Sequence, residues 1–205
     1  MEKKTCHRDT KTQRLFILEK IHMAHQFSTN YIEDSIAIFR QYKRLAEKAM
    51  EQVTDEQLNF TFDPESNSIA IIVKHLAGNM RSRWTDFLTT DGEKPTRHRD
   101  TEFESDHQFT RAEVVEMWEK GWACLFTALE PLGETDLARK VAIRSEPHSI
   151  MQAINRQMAH YSSHIGQIIF VAKYLRSKEW KTLSIPRGKS YEFLEQVKRG
   201  EKSQR

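Results

Sequence analysis

Apolar residues recur at spacings of three and four through four segments of the chain, and no segment shows a convincing alternation of period two. The pattern predicts an all-α protein. A first helix is expected from about Ser28 to Val53, with Tyr31, Ile32, Ile36, Phe39, Leu45 and Ala49 on one face and charge on the other. A second opens after Asp63-Pro64-Glu65-Ser66-Asn67, whose proline and short polar side chains suit a helix start, and runs to about Thr89 before Asp91-Gly92. Its arc is Ile69, Ile72, Val73, Leu76, Met80, Trp84 and Phe87. The third starts at Thr110-Arg111-Ala112-Glu113, a capping-box pattern in which hydroxyl and carboxylate satisfy free amides reciprocally. Val114, Met117, Trp118, Trp122, Leu125 and Leu129 form its buried face, and Pro131 with Gly133 ends it. The fourth, about Ser149 to Ser177, is the longest and most apolar, with Met151, Ile154, Met158, Ile165, Ile168, Ala172 and Leu175 as its stripe.

Residues 91–109, between the second and third helices, are charged and turn-forming and too many for a tight antiparallel hairpin. A crossing of the bundle and a lid role are expected there. Residues 1–25 carry mixed charge and one short apolar patch, Leu15 to Leu18, and read as a disordered extension or as a translation start placed ahead of the true one at Met23. The bundle is expected over 26–178, and 179–205 as a segment partly packed on it with a disordered basic end.

Composition narrows the partners. A chain of 205 residues fits one domain, and 38% hydrophobic with 30% charged residues suits a soluble helical globule. Its 32 basic residues are balanced by 29 acidic ones in the same segments, so the field that duplex binding needs is missing and nucleic acid is not an expected partner. The tail from Lys178 to Arg205 is basic but interleaved with glutamates rather than stacking aromatics. No run approaches the roughly eighteen apolar residues of a membrane span, and no secretory signal opens the chain. Cys6 and Cys124 belong to no CxxC motif. A cytoplasmic protein with inert thiols is expected.

The chemistry concentrates in Met158-Ala159-His160-Tyr161-Ser162-Ser163-His164. At 100° per residue, His160 and His164 lie about 40° apart around the helix, so both rings can reach one point. A metal between helices needs a further ligand from another inner flank, and His75 on the second helix is the best candidate. There His75, Asn79, Arg83 and Asp86 form a polar line beside the apolar arc, where unpaired polar groups would cost stability unless they face a cavity. From spacing alone, hydrogen-bonded core histidines and a metal site both stay open. No HExxH motif occurs, so the base of that metalloprotease class is missing. Asp86, the nearest carboxylate on the second helix, is about 16 Å along the axis from His75.

The motifs Ser68-Ile69-Ala70 through Lys74-His75-Leu76-Ala77-Gly78-Asn79-Met80, Arg83-Trp84-Thr85-Asp86-Phe87, and Ala153-Ile154-Asn155-Arg156-Gln157-Met158-Ala159-His160 through His164-Ile165-Gly166-Gln167-Ile168 resemble the DinB/YfiT-like superfamily, most closely one of its uncharacterised bacterial branches. The resemblance covers about Gln26 to Ser190. It implies a four-helix bundle of up-down-down-up topology with a long crossover between helices 2 and 3. It also implies a homodimer and a divalent metal, zinc or nickel, held by His75, His160 and His164.

Characterised relatives include bacillithiol-dependent S-transferases and a mycothiol-dependent maleylpyruvate isomerase, so the resemblance implies a metal-dependent thiol S-transferase using a low-molecular-weight thiol as cosubstrate. The ligand would supply the nucleophile, which fits the packed position of Cys124. Such thiols carry carboxylates, and Asn79, Arg83 and Arg187 are the candidate substrate-binding residues, with Arg97, Arg99 and Lys189 equally readable as surface charge and His148 as incidental. The alternatives are a metal-dependent hydrolase and a non-catalytic, stress-associated binding or dimerisation protein with a structural metal.

Overall fold

A computed structural model describes residues 30–104 and 107–203. The contacts below fall within one compact unit, residues 32–205. The expected extension over 1–25, and the helix start expected at Ser28, lie outside the described residues.

Among the described residues the four expected long helices are α1 (Tyr31–Met50), α3 (Ile69–Trp84), α4 (Arg111–Leu129) and α5 (Ile150–Arg176). A single turn, α2 (Asp55–Leu58), interrupts the first connection, and α6 (Ser190–Lys198) follows α5. Each long helix after α1 starts where a side chain satisfies a free amide. Ser68 caps α3, and Thr110 and Ser149 form full capping boxes with Glu113 and Gln152. The expected box at Thr110 is present.

Periodicity translates directly into packing. Every member of the second helix's expected arc, Ile69 through Phe87, is buried. Phe39 of α1, Trp122 of α4 and Tyr161 of α5 meet in one aromatic cluster, with ring centroids 5.8–6.3 Å apart. α3 and α4 approach closely because Gly121 has no side chain: a Cβ there would lie 3.0 Å from Cα of Ala77 and 3.2 Å from Sδ of Met80.

Two features depart from expectation. α3 ends at Trp84 rather than near Thr89, because Thr85 is already extended (ψ 122°) and Asp86 after it takes a left-handed conformation (φ 48°). Phe87 still turns inward onto Trp84, at 5.2 Å, which is why the apolar pattern outruns the helix. The fold is mostly helical but not all-α. Strands β1 (Lys140–Ile143) and β2 (Glu146–Ser149) pair antiparallel, Val141 opposite His148 and Ile143 opposite Glu146. Four-residue strands are too short to register as alternation, Pro147 reads against a strand, and the turn residues Arg144 and Ser145 (φ 56° and 64°) lack the Asn-Gly signature of such turns. The strained turn is held from outside: the Asp91 carboxylate accepts from the amides of Arg144 (2.8 Å) and Ser145 (2.6 Å).

The long connection is built in like manner. The Gly92 amide donates to the Ala142 carbonyl (2.8 Å), tying it to the hairpin, and a 3-10 turn at Asp100–Phe103 lies against α3. After α5, Gln52 exchanges two hydrogen bonds with the backbone of Lys181, whereas α6 buries none of its residues. Among the described residues no helix is long and apolar enough to cross a membrane.

Candidate metal centre

His75 sits in the middle of α3 and His160 and His164 one turn apart on α5, and the packing of these two helices brings the three rings together. One ligand atom from each lies within 4.8 Å of the others, and the ring centroids are 4.7–5.3 Å apart. Nε2 of His75 is 3.2 Å from Nε2 of His160.

The outer nitrogens explain why the inner ones converge. Nδ1–H of His75 donates to Oε2 of Glu102 at 2.8 Å, and Nδ1–H of His164 donates to Oε1 of Gln167 at 2.7 Å. Both bonds fix the tautomer that leaves Nε2 with a free lone pair, the arrangement metal-ligating histidines adopt. Nδ1 of His160 is buried without a partner among the described residues. Burial, then the neighbouring His164 and His75 and the guanidinium groups of Arg97 and Arg83, pull the His160 pKa down to about 3. Burial also holds His164 below the ordinary histidine value, more than offsetting its bond to Gln167. These two rings are therefore neutral at neutral pH, as metal ligands must be.

The donor set fits a divalent ion. Without an ion, Nε2–H of His160 can donate to the Nε2 lone pair of His75 across this 3.2 Å; with that proton displaced, the separation matches two nitrogens about 2.0–2.1 Å from a tetrahedral zinc, which are themselves about 3.3 Å apart.

Glu102, which the sequence reading missed, is delivered by the long connection. Arg97 clamps it bidentately, Nε to Oε1 at 2.8 Å and Nη2 to Oε2 at 2.9 Å, with both side chains buried. Burial raises the Glu102 pKa, but the hydrogen bonds from His75 and Arg97 outweigh it and hold the carboxyl below its usual value. Gly78, one turn from His75, makes room: a Cβ there would stand 2.2 Å from Oε1 of Glu102. Phe103 packs against the ring of His75, with centroids 4.8 Å apart, and Arg99 lies over Phe103. Arg97 is thus internal rather than surface charge, and the connection expected to act as a lid forms one wall of the centre.

The rings open on a cavity of about 820 Å³. Asn79 and Arg83, both expected at the site, line it together with Arg97, Arg99, Arg144, Arg156 and Gln157. Arg187 is exposed after α5 and does not line it, Lys189 pairs with Glu192 at the surface, and His148 bonds to the Glu146 carbonyl within the hairpin. Asp86 is exposed. Arg144 and Gln157 carried no readable signal, since the first depends on an unforeseen hairpin; Arg156 did carry one, standing four residues before His160 as His160 stands before His164.

No curated protein and no solved structure matches the chain. Residues 26–189 match the family described as "Protein of unknown function (DUF1572)", and the chain, with three histidines placed to hold a metal ion, belongs to that family.

Proposed function

We propose that the protein is a DinB/YfiT-like four-helix bundle of up-down-down-up topology whose tri-histidine centre holds a divalent metal, zinc or nickel, and serves a thiol-dependent S-transferase reaction. The single observation that carries this reading is that His75, His160 and His164 converge on the wall of a large open cavity rather than in a closed core. Structural zinc sites are four-coordinate and closed; three protein ligands beside a cavity suit a catalytic site. An ion held there would favour the deprotonated form of a thiol reaching it.

The residues around the cage support a nucleophile brought by the ligand. Among the described residues no carboxylate lines the cavity, and Glu102 is committed to His75 and Arg97, so none of them offers a free carboxylate base to activate water. That weighs against the hydrolase alternative. Cys124 is only part-exposed on α4 and lines a different cavity. Arginines in place of carboxylates suit the acidic groups of low-molecular-weight thiols. A homodimer is part of the proposal, supported by an exposed aromatic cluster in which Phe62 lies 4.9 Å from Tyr174 and 5.4 Å from Phe60.

Metal analysis of the purified protein beside a His160→Ala, His164→Ala variant tests the cage; equal metal content in both overturns it. Turnover of a chlorobimane with bacillithiol, cysteine or glutathione tests the reaction. Activity lost together with metal supports the transferase, and a metal-loaded protein inert with every thiol favours the non-catalytic binding protein instead.

A further inference from the structure

The cavity has two chemically distinct ends. On α5, Arg156, His160 and His164 follow one another at intervals of four, so Arg156 stands about 6 Å along the axis from His160. On α3, His75, Asn79 and Arg83 repeat the interval, and Arg83 stands about 12 Å along the axis from His75. The histidines stand at one end, with Arg97 and Arg99 of the long connection beside them, and Arg83, Arg144 and Arg156 lie toward the other.

The guanidinium end carries uncompensated charge. Arg83, Arg97 and Arg144 ion-pair with only two carboxylates: Glu93 lies 3.1 Å from Arg83, 2.8 Å from Arg144 and 3.7 Å from Arg97, and Glu102 takes Arg97 alone among them, while the nearby Asp91 is taken up by the backbone amides of Glu93, Arg144 and Ser145. Arg156 has no ion pair or hydrogen bond among the described residues. Two buried polar groups of the same lining are also without a hydrogen-bond partner among the described residues. Gln157, 2% exposed, has an Oε1 without a donor, and Arg83, 6% exposed, has an Nε without an acceptor. A buried acceptor and a buried donor beside the unpaired Arg156 are groups that a polar, anionic ligand can satisfy.

We infer that this end is an anion subsite for an organic oxyanion, a carboxylate or a phosphate monoester, whose charge is met by Arg156 and Arg144 and which also presents a hydrogen-bond donor to Gln157. The inference rests on the reading above that the cavity is the ligand site, but not on the metal. A ligand filling both ends carries its oxyanion about 6–12 Å from the group that reaches the histidines. Guanidinium groups pair bidentately with both kinds of oxyanion, so the two sources share one recognition chemistry.

Calorimetric titration of the full chain, metal-free and zinc-loaded, with succinate, glycerol 3-phosphate and neutral succinamide tests the subsite. The metal-free protein is expected to bind at least one of the anions and not succinamide, and the tighter anion identifies the source. Affinity is expected to fall about tenfold or more in Arg156→Gln, with Arg156→Lys between it and the unaltered protein and Arg139→Gln, away from the cavity, unchanged. Arg156 is exposed, so its replacement does not threaten folding. Succinamide binding as well as succinate, no binding of either anion, or an Arg156→Gln variant of full affinity overturns the inference. Arg156-dependent anion binding in a protein that takes up no metal would leave the subsite standing and remove the metal-dependent function; a zinc-loaded protein indifferent to both anions would do the reverse.

Discussion

The carboxylate of Glu102 lies 2.8 Å from Nδ1 of His75, twenty-seven residues earlier in the chain, and Arg97 grips the same carboxylate from the other side. This relationship sets the tautomer and orientation of one proposed metal ligand. Glu102→Gln keeps the shape but not the charge, and Glu102→Ala removes both. Each is expected to lower metal affinity by roughly 10- to 100-fold, with the alanine variant the weaker. A competitive titration against a chromophoric chelator reads the change, and far-UV circular dichroism checks that the helices persist. Undiminished affinity in both variants would show that His75 needs no orienting partner.

Gly78 is the counterpart of Glu102 on α3. In an ordinary helix interior, Gly→Ala stabilises by about 0.5–1 kcal/mol. Here the new Cβ would meet Oε1 at 2.2 Å, and that oxygen cannot swing aside without breaking charge-assisted bonds to Arg97. Overpacking of about 1–3 kcal/mol is therefore expected to win, and Gly78→Ala should destabilise in urea and weaken metal binding together. The same substitution on a Glu102→Ala background should recover the ordinary helical gain.

How much of this was legible follows from the range of each interaction. The metal-ligand candidates His160 and His164 are one turn apart, and His75 heads a line of polar residues on a helix with a clear apolar arc; both signals are local and survive in the sequence. The helix starts at Ser68, Thr110 and Ser149 were legible for the same reason. Glu102 reaches His75 only through the tertiary path of the long connection, and nothing within four residues of Glu102 announces it. The hairpin was hidden because its strained turn is stabilised by Asp91, more than fifty residues away, rather than by glycine or asparagine within the turn.

The titration of His160 predicts a pH dependence for the metal-free protein. Its pKa is near 6.5 when unfolded and about 3 when folded, so between these values the unfolded chain takes up a proton that the folded protein refuses. Stability is therefore fullest above pH 6.5 and falls as the pH drops through 6 and 5. Glu102, held below its ordinary value, acts in the same direction but only from about pH 4.3 downward. Urea midpoints measured with chelator present should decline from pH 7 to pH 5. The decline should shrink in His160→Phe, and an equal decline in that variant would assign the effect to other groups.

Behind the cavity, the buried hydroxyl of Tyr161 accepts from Nε1 of Trp84 and donates to Oδ1 of Asn79, both at 3.1 Å. Burial raises the Tyr161 pKa, so the hydroxyl stays neutral and can act in both roles. Asn79 lines the cavity, so this link couples the core to the site. Tyr161→Phe preserves the ring contacts with Phe39 and Trp122 but strands an indole N–H and an amide oxygen, at an expected cost of about 1–3 kcal/mol for the unsatisfied groups. Removing the donor as well should restore part of that loss. A cycle of Tyr161→Phe, Trp84→Phe and the double variant is expected to show a coupling of about 0.5–3 kcal/mol in urea denaturation. Strict additivity would mean that the indole finds another acceptor, and the link would then run from Tyr161 to Asn79 alone.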